Sequence, residues 1–182
     1  MATTKGAALR FLTQQQCQIW ATAHGYRLYD PPWGRQVDVA SLDEQRFHLP
    51  EDSGARMALA RMLWDSLASD APEALVWVTE WGVWPSGEHL PLAAAVRRGY
   101  GETRSLHDAP GAIIGRNEAD AGLSLVALAT LFLWDCWLLL PGGPVACFLS
   151  HDEYGAIVAP GQVPPEILAR LRAYTTLLPA AT

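Results

Sequence analysis

Ser150, His151, Asp152 and Glu153 form the densest run of chemistry-bearing side chains in the sequence. An imidazole beside two carboxylates can move a proton, with His151 as base and Asp152 or Glu153 as the carboxylate that orients it. If the segment is extended, His151 and Glu153 face one side, while Ser150 and Asp152 face the other. Two such groups on one face suit a shared proton or a metal ion. The favoured reading is nonetheless a polar turn at a strand end, where Ser and Asp bond nearby backbone. No nucleophile elbow, HExxH or other spaced catalytic motif accompanies the run.

A second acid, Asp135, lies between two tryptophans in Trp134-Asp135-Cys136-Trp137. These flanks predict partial burial, and a buried carboxylate needs backbone N–H groups or a cation. Residues 134–140 and 145–150 read as a hairpin closed by Pro141-Gly142-Gly143-Pro144. Mirror pairing about that turn sets Asp135 close to Ser150, so Asp135 can reach His151 and orient its ring. A structural hydrogen bond is the simpler expectation for this pair. Cys136 belongs to an apolar run, where a buried, inert thiol is expected rather than a nucleophile. Cys17, Cys136 and Cys147 show no CxxC or metal-knuckle spacing. Cys136 and Cys147 do not face each other across the hairpin, and three free, mostly buried thiols are expected. Gly142-Gly143 precedes a strand rather than a helix, so it is not a phosphate cradle. No cofactor or metal site is expected.

The third group mixes acid and indole. The chain has 8 Trp against 4 Phe, 5 Tyr and 3 Met. Trp77, Trp81 and Trp84 crowd into residues 74–86, with Glu80 inside the strand pattern and Glu88-His89 just beyond. Indoles bury large area yet carry an N–H that wants a partner, so such a cluster marks either a core or a recognition surface. On a regular strand Trp77 and Trp81 share a face and are expected in the core against the helix that carries Trp64. Trp84, past Gly82, can turn the other way. Trp84 and Trp33 are the expected partner-binding anchors, with Glu80 and Glu88 supplying charge.

These groups must be positioned by a chain of 182 residues, half of them apolar and 18% charged. That suits one folded domain over residues 1–182 and rules out disorder. Net charge is −6, and Arg97-Arg98 is the one adjacent basic pair. Nucleic-acid binding needs a basic stripe, so it is not expected. Residues 123–140 are apolar enough to suggest a membrane span, but Asp135 interrupts them and neither end has a basic flank. A buried helix running into a buried strand is the expected structure. The first residues have no apolar signal core, and with the cysteine pattern this points to a cytoplasmic protein.

The elements follow from local signals. Thr13 and Gln16 form a capping-box pattern for a helix to about Ala23, which Gly25 ends. A second helix is expected over Ser53–Leu67, with Met57, Ala60, Arg61, Trp64 and Leu67 on its stripe. Leu75–Trp81, Trp134–Leu140 and Val145–Ser150 read as strands, with further short ones at Tyr26–Tyr29, Arg46–Leu49 and Tyr154–Ala159. Other helices are expected from Pro91 to Arg98, from Asn117 or Glu118 to Leu133, and from Pro164, the last burying Ile167, Leu168, Leu171 and Tyr174. The fold class is α+β: a mostly antiparallel sheet of about four to five strands with about five helices against one face, and a C-terminal hairpin or meander followed by a final helix.

Two functions fit. The preferred one is a non-enzymatic protein-binding domain of bacterial type, in an immunity, adaptor or assembly-factor role, whose acidic, Trp-bearing surface meets another, basic protein. The alternative is a small hydrolase or metal-dependent enzyme built on Asp135, His151, Asp152 and Glu153.

Overall fold

The computed structural model describes residues 9–28, 37–38, 42–81, 89–143 and 145–179. In chain order the elements are β1 (Arg10–Leu12), α1 (Gln14–Ala23), β2 (Arg27–Leu28), β3 (Val37–Asp38), β4 (Leu42–His48), α2 (Ser53–Leu67), β5 (Glu73–Glu80), α3 (His89–Gly99), β6 (Gly111–Gly115), α4 (Ala119–Phe132), β7 (Asp135–Leu139), β8 (Ala146–Leu149), β9 (Tyr154–Pro160) and α5 (Pro165–Leu171). A short 3-10 turn, Arg116–Glu118, leads into α4. Seven strands pair in the order β1-β6-β5-β7-β8-β9-β4, every ladder antiparallel, while β2 and β3 pair separately. The fold is α+β, with the C-terminal meander and final helix in place. The main sheet is larger than the expected four to five strands. The surplus lies in short pieces such as the three-residue β1, too brief for alternation to register in sequence.

Several element boundaries follow directly from side-chain chemistry. The Thr13 hydroxyl accepts from Gln16 N, and the Gln16 side chain accepts from Thr13 N, closing the capping box of α1. The Asp52 carboxylate accepts from Ala55 N at 2.8 Å and starts α2 at Ser53. Leu59, Ala60, Met62, Leu63, Trp64 and Leu67 are the buried residues of α2, whereas Met57 is 43% exposed. The buried face is thus rotated from the stripe expected in sequence. Tyr174 is likewise exposed, leaving Ile167 and Leu171 as the buried residues of α5. Leu133 adopts a left-handed conformation (φ 53°) as the C-cap of α4 and turns the apolar run into β7. Among the described residues no helix is long and apolar enough to cross a membrane.

The sheet is covered on both faces, not one. Val76, Val78, Cys136, Leu138, Cys147 and Leu149 face a core shared with α2, α4 and α5. Their alternates Leu75, Trp77, Trp137, Leu139 and Phe148 face a second core with Cys17 and Ala21 of α1. Tyr26 joins that core, and its hydroxyl donates to Leu140 O at 2.9 Å and accepts from Leu140 N at 3.0 Å. Trp77 therefore packs away from Trp64, which lies in the first core. Nor do Trp77 and Trp81 share a face. The β5–β7 register pairs Val78 with Cys136 but Glu80 with Asp135, so Thr79 is an extra residue. A bulge of this kind reverses the alternation beyond it, and Trp81 packs against the first core.

Candidate functional site

The end of the sheet where β7 begins collects most of the candidate residues. Pairing of Cys136 with Leu149 brings the residue before one and those after the other together. The Asp135 carboxylate is 6% exposed, and its Oδ1 accepts from His151 N at 2.8 Å and lies 2.8 Å from His151 Nδ1. The contact expected from hairpin counting is present. On the other side of the ring, Nε2 is 3.5 Å from Oδ1 of Asp152, whose side chain is 70% exposed. The imidazole is thus flanked by two carboxylates, one buried and one in solvent.

Residues 150–153 are a turn between β8 and β9, not an extended segment. Ser150 N donates to Tyr154 O at 2.8 Å, and Glu153 has φ 62°. The alternation that would put His151 and Glu153 on one face does not apply in this geometry. His151 gains its partner from Asp135 on the neighbouring strand instead. Ser150 is 3% exposed, and its hydroxyl accepts from Asp152 N at 3.2 Å, which holds the turn. Among the described residues no hydroxyl or thiol is within hydrogen-bond reach of the His151 ring, and no group of three or more His, Cys, Asp or Glu is arranged to hold a metal ion.

The cysteines are free and buried. Burial pushes the Cys17 thiol up to about 12 and the Cys136 and Cys147 thiols well above their ordinary value. A thiol so displaced is not a thiolate at neutral pH, which disfavours nucleophilic attack by any of them.

The residue before Asp135 belongs to an aromatic group in the first core. Trp134, 1% exposed, lies with its ring centroid 4.7 Å from Trp81, 5.6 Å from His89 and 5.8 Å from Phe132. Glu80 is exposed at the end of β5. His89 is 8% exposed and stacks on Phe132, so it belongs to the interior. His107 and Asp108 are exposed, and Asp108 accepts from the Ser105 hydroxyl at 2.6 Å within a turn. Trp33, Trp84 and Glu88 lie outside the described residues.

One polar group escaped the sequence reading. Arg97 is 3% exposed, and its Nη2 donates to Ala109 O at 2.5 Å. Nearby, Arg104 binds both oxygens of the buried Glu102 carboxylate, at 3.0 Å from Nε and 2.5 Å from Nη2. That contact holds the Glu102 carboxyl below the usual carboxylate range. In sequence Arg97 shows only as half of an adjacent basic pair at a helix end, where solvent exposure is the default.

Replacing Asp135 with Ala removes the acceptor for His151 N and leaves a partly buried donor open. A loss of about 1–3 kcal/mol in urea unfolding is expected. Asp135→Asn should recover part of it, because its Oδ1 can still accept from the backbone. An unchanged midpoint for Asp135→Ala would mean that the contact contributes nothing to the turn.

The site thus joins a buried aspartate, an imidazole and exposed carboxylates to an aromatic group. Comparison with known proteins finds no family model, no curated protein and no solved structure that matches the chain, so what the site does is argued from its own geometry.

Proposed function

We propose that this chain is a non-enzymatic protein-binding domain, of the immunity, adaptor or assembly-factor kind, that engages a basic partner through the acidic end of its sheet. The carrying observation is a juxtaposition. Exposed Glu80 stands opposite Asp135 in the ladder, and exposed Asp152 reaches the His151 ring that Asp135 holds. Half-buried Trp81 follows Glu80 and rests on Trp134. Exposed carboxylates at the same end of the sheet as a half-buried indole suit a Lys- or Arg-bearing surface, with charge speeding encounter and the aromatic contact supplying affinity. A net charge of −6 acts in the same direction.

The test compares the chain with a Glu80→Lys/Asp152→Lys double variant as baits in the native host. A basic partner should be retained by the first, released by salt, and lost from the second at unchanged melting temperature. Identical capture by both baits would overturn the reading.

The Asp135–His151 contact favours a second reading, a small hydrolase or metal-dependent enzyme. His151 would be the base, Asp135 its orienting carboxylate, and Asp152 and Glu153 further acids. A panel of chromogenic esters separates the two. Turnover abolished in both His151→Ala and Asp135→Asn but kept in Glu80→Lys would establish the enzyme.

A further inference from the structure

The buried Arg97 guanidinium is incompletely partnered. Among the described residues its Nη1 has no hydrogen-bond partner, although Nη2 is engaged by Ala109 O. A guanidinium stays charged at any physiological pH, and a buried charge is costly unless it is paired. Burial pulls Arg97 below its ordinary value, the Glu102 carboxylate opposes that pull, and Arg104 reinforces it. Glu102 is already gripped by Arg104, and it acts on Arg97 through its charge without accepting a hydrogen bond from Nη1.

Arg97 lines a cleft, partly open to solvent, together with Phe11, Val78, Ala93, Trp81 and Trp134. Its Cζ is 5.1 Å from the Phe11 ring centre and 6.0 Å from that of Trp81. The indole N–H groups of Trp81 and Trp134 also lack an acceptor. The same is true of Trp64 and Trp137 elsewhere, so the guanidinium carries the argument and the indoles only agree with it. Among the described residues, the unpartnered side-chain polar atoms of the lining are donors, set among apolar and aromatic side chains. Such a site lacks an acceptor-rich group attached to a flat apolar body.

We propose that this cleft binds a small aryl carboxylate, with the carboxylate on Arg97 Nη1 and the ring against Trp81, Trp134 and Phe11. The cleft shares Trp81 with the proposed partner surface, but Glu80 and Asp152, the residues changed in that test, do not line it. Loss of partner capture would leave it intact.

Benzoate is the probe. Benzyl alcohol is the control without charge, and inorganic phosphate the control without an apolar body. In the isotope-labelled full chain, millimolar benzoate should shift the indole N–H resonances of Trp81 and Trp134 saturably, and both controls should leave them in place. Arg97→Met should weaken benzoate by about tenfold or more, the worth of a charge-assisted hydrogen bond in a dry site. Ala93→Leu, which fills the cleft and keeps the arginine, should abolish binding and decides the matter if Arg97→Met does not fold. Static resonances would mean that the cleft holds only water and overturn the proposal. Equal binding of benzyl alcohol or phosphate, or undiminished binding by Arg97→Met, would overturn it as well.

Discussion

Trp77→Ala is expected to cost about 3–5 kcal/mol of stability, the range for emptying a large aromatic site in a packed core. Trp77 is 0% exposed at the centre of the second core, flanked by Leu75, Ile113, Trp137 and Leu139. Its indole donates to Gln14 Oε1 at 3.0 Å, joining the middle of the sheet to the first turn of α1. Truncation therefore opens a cavity and also cuts a tie between sheet and helix. Trp81→Ala is the internal comparison, because Trp81 is half-buried at the sheet end. Guanidinium unfolding of both variants should show the larger loss at Trp77. A smaller loss there would contradict burial beneath α1. Trp77→Phe, which keeps a ring but drops the N–H, covers the case in which the alanine variant does not fold.

Gly122→Ala should also destabilise, against the usual rule for helices. In an open helical position this change gains about 1 kcal/mol. At Gly122 a Cβ would come within 2.0 Å of Trp64 Cη2 and 2.4 Å of two further ring atoms. Trp64 is 4% exposed between α2 and α4 and cannot swing into solvent without leaving the core. Overpacking of this kind costs about 1–3 kcal/mol or more. With contact this close the upper end applies, leaving a net loss of about 2 kcal/mol after the propensity gain. Gly99→Ala is the control, since nothing lies within 4 Å of its Cβ position; it should show no loss. Adding Trp64→Leu to Gly122→Ala should relieve the clash, so that the pair is less unstable than the sum of the two changes. Additive losses would show that the two residues do not press on each other.

Both changes bear on a region whose outline is plain in sequence and whose packing is not. The Asp135–His151 contact was legible because a tight turn determines which residues of a hairpin are neighbours, and counting outward from Gly142-Gly143 needs no distant information. The face on which Trp81 sits was not legible. It depends on the extra residue at Thr79, and nothing in Val78-Thr79-Glu80 marks a bulge. The turn at Ser150–Glu153 was the favoured reading of its polar run, but its geometry depends on the return strand β9, whose pairing with β8 sets the chain reversal.

By itself, the sequence determined the α+β class, the span of α2, the capping box of α1 and the hairpin that joins Asp135 to His151. Each rests on contacts between residues close along the chain, where periodicity, caps and turns translate directly into geometry. Tertiary structure alone decided which elements cover each face of the sheet: an unbroken apolar run signals burial on both sides but does not say that α1 packs on one and α2, α4 and α5 on the other. It alone also made the Arg97 cleft. That site draws on β1, β5, α3 and the segment before β6, which are far apart in sequence, and a charge buried by such distant neighbours leaves no local pattern to read.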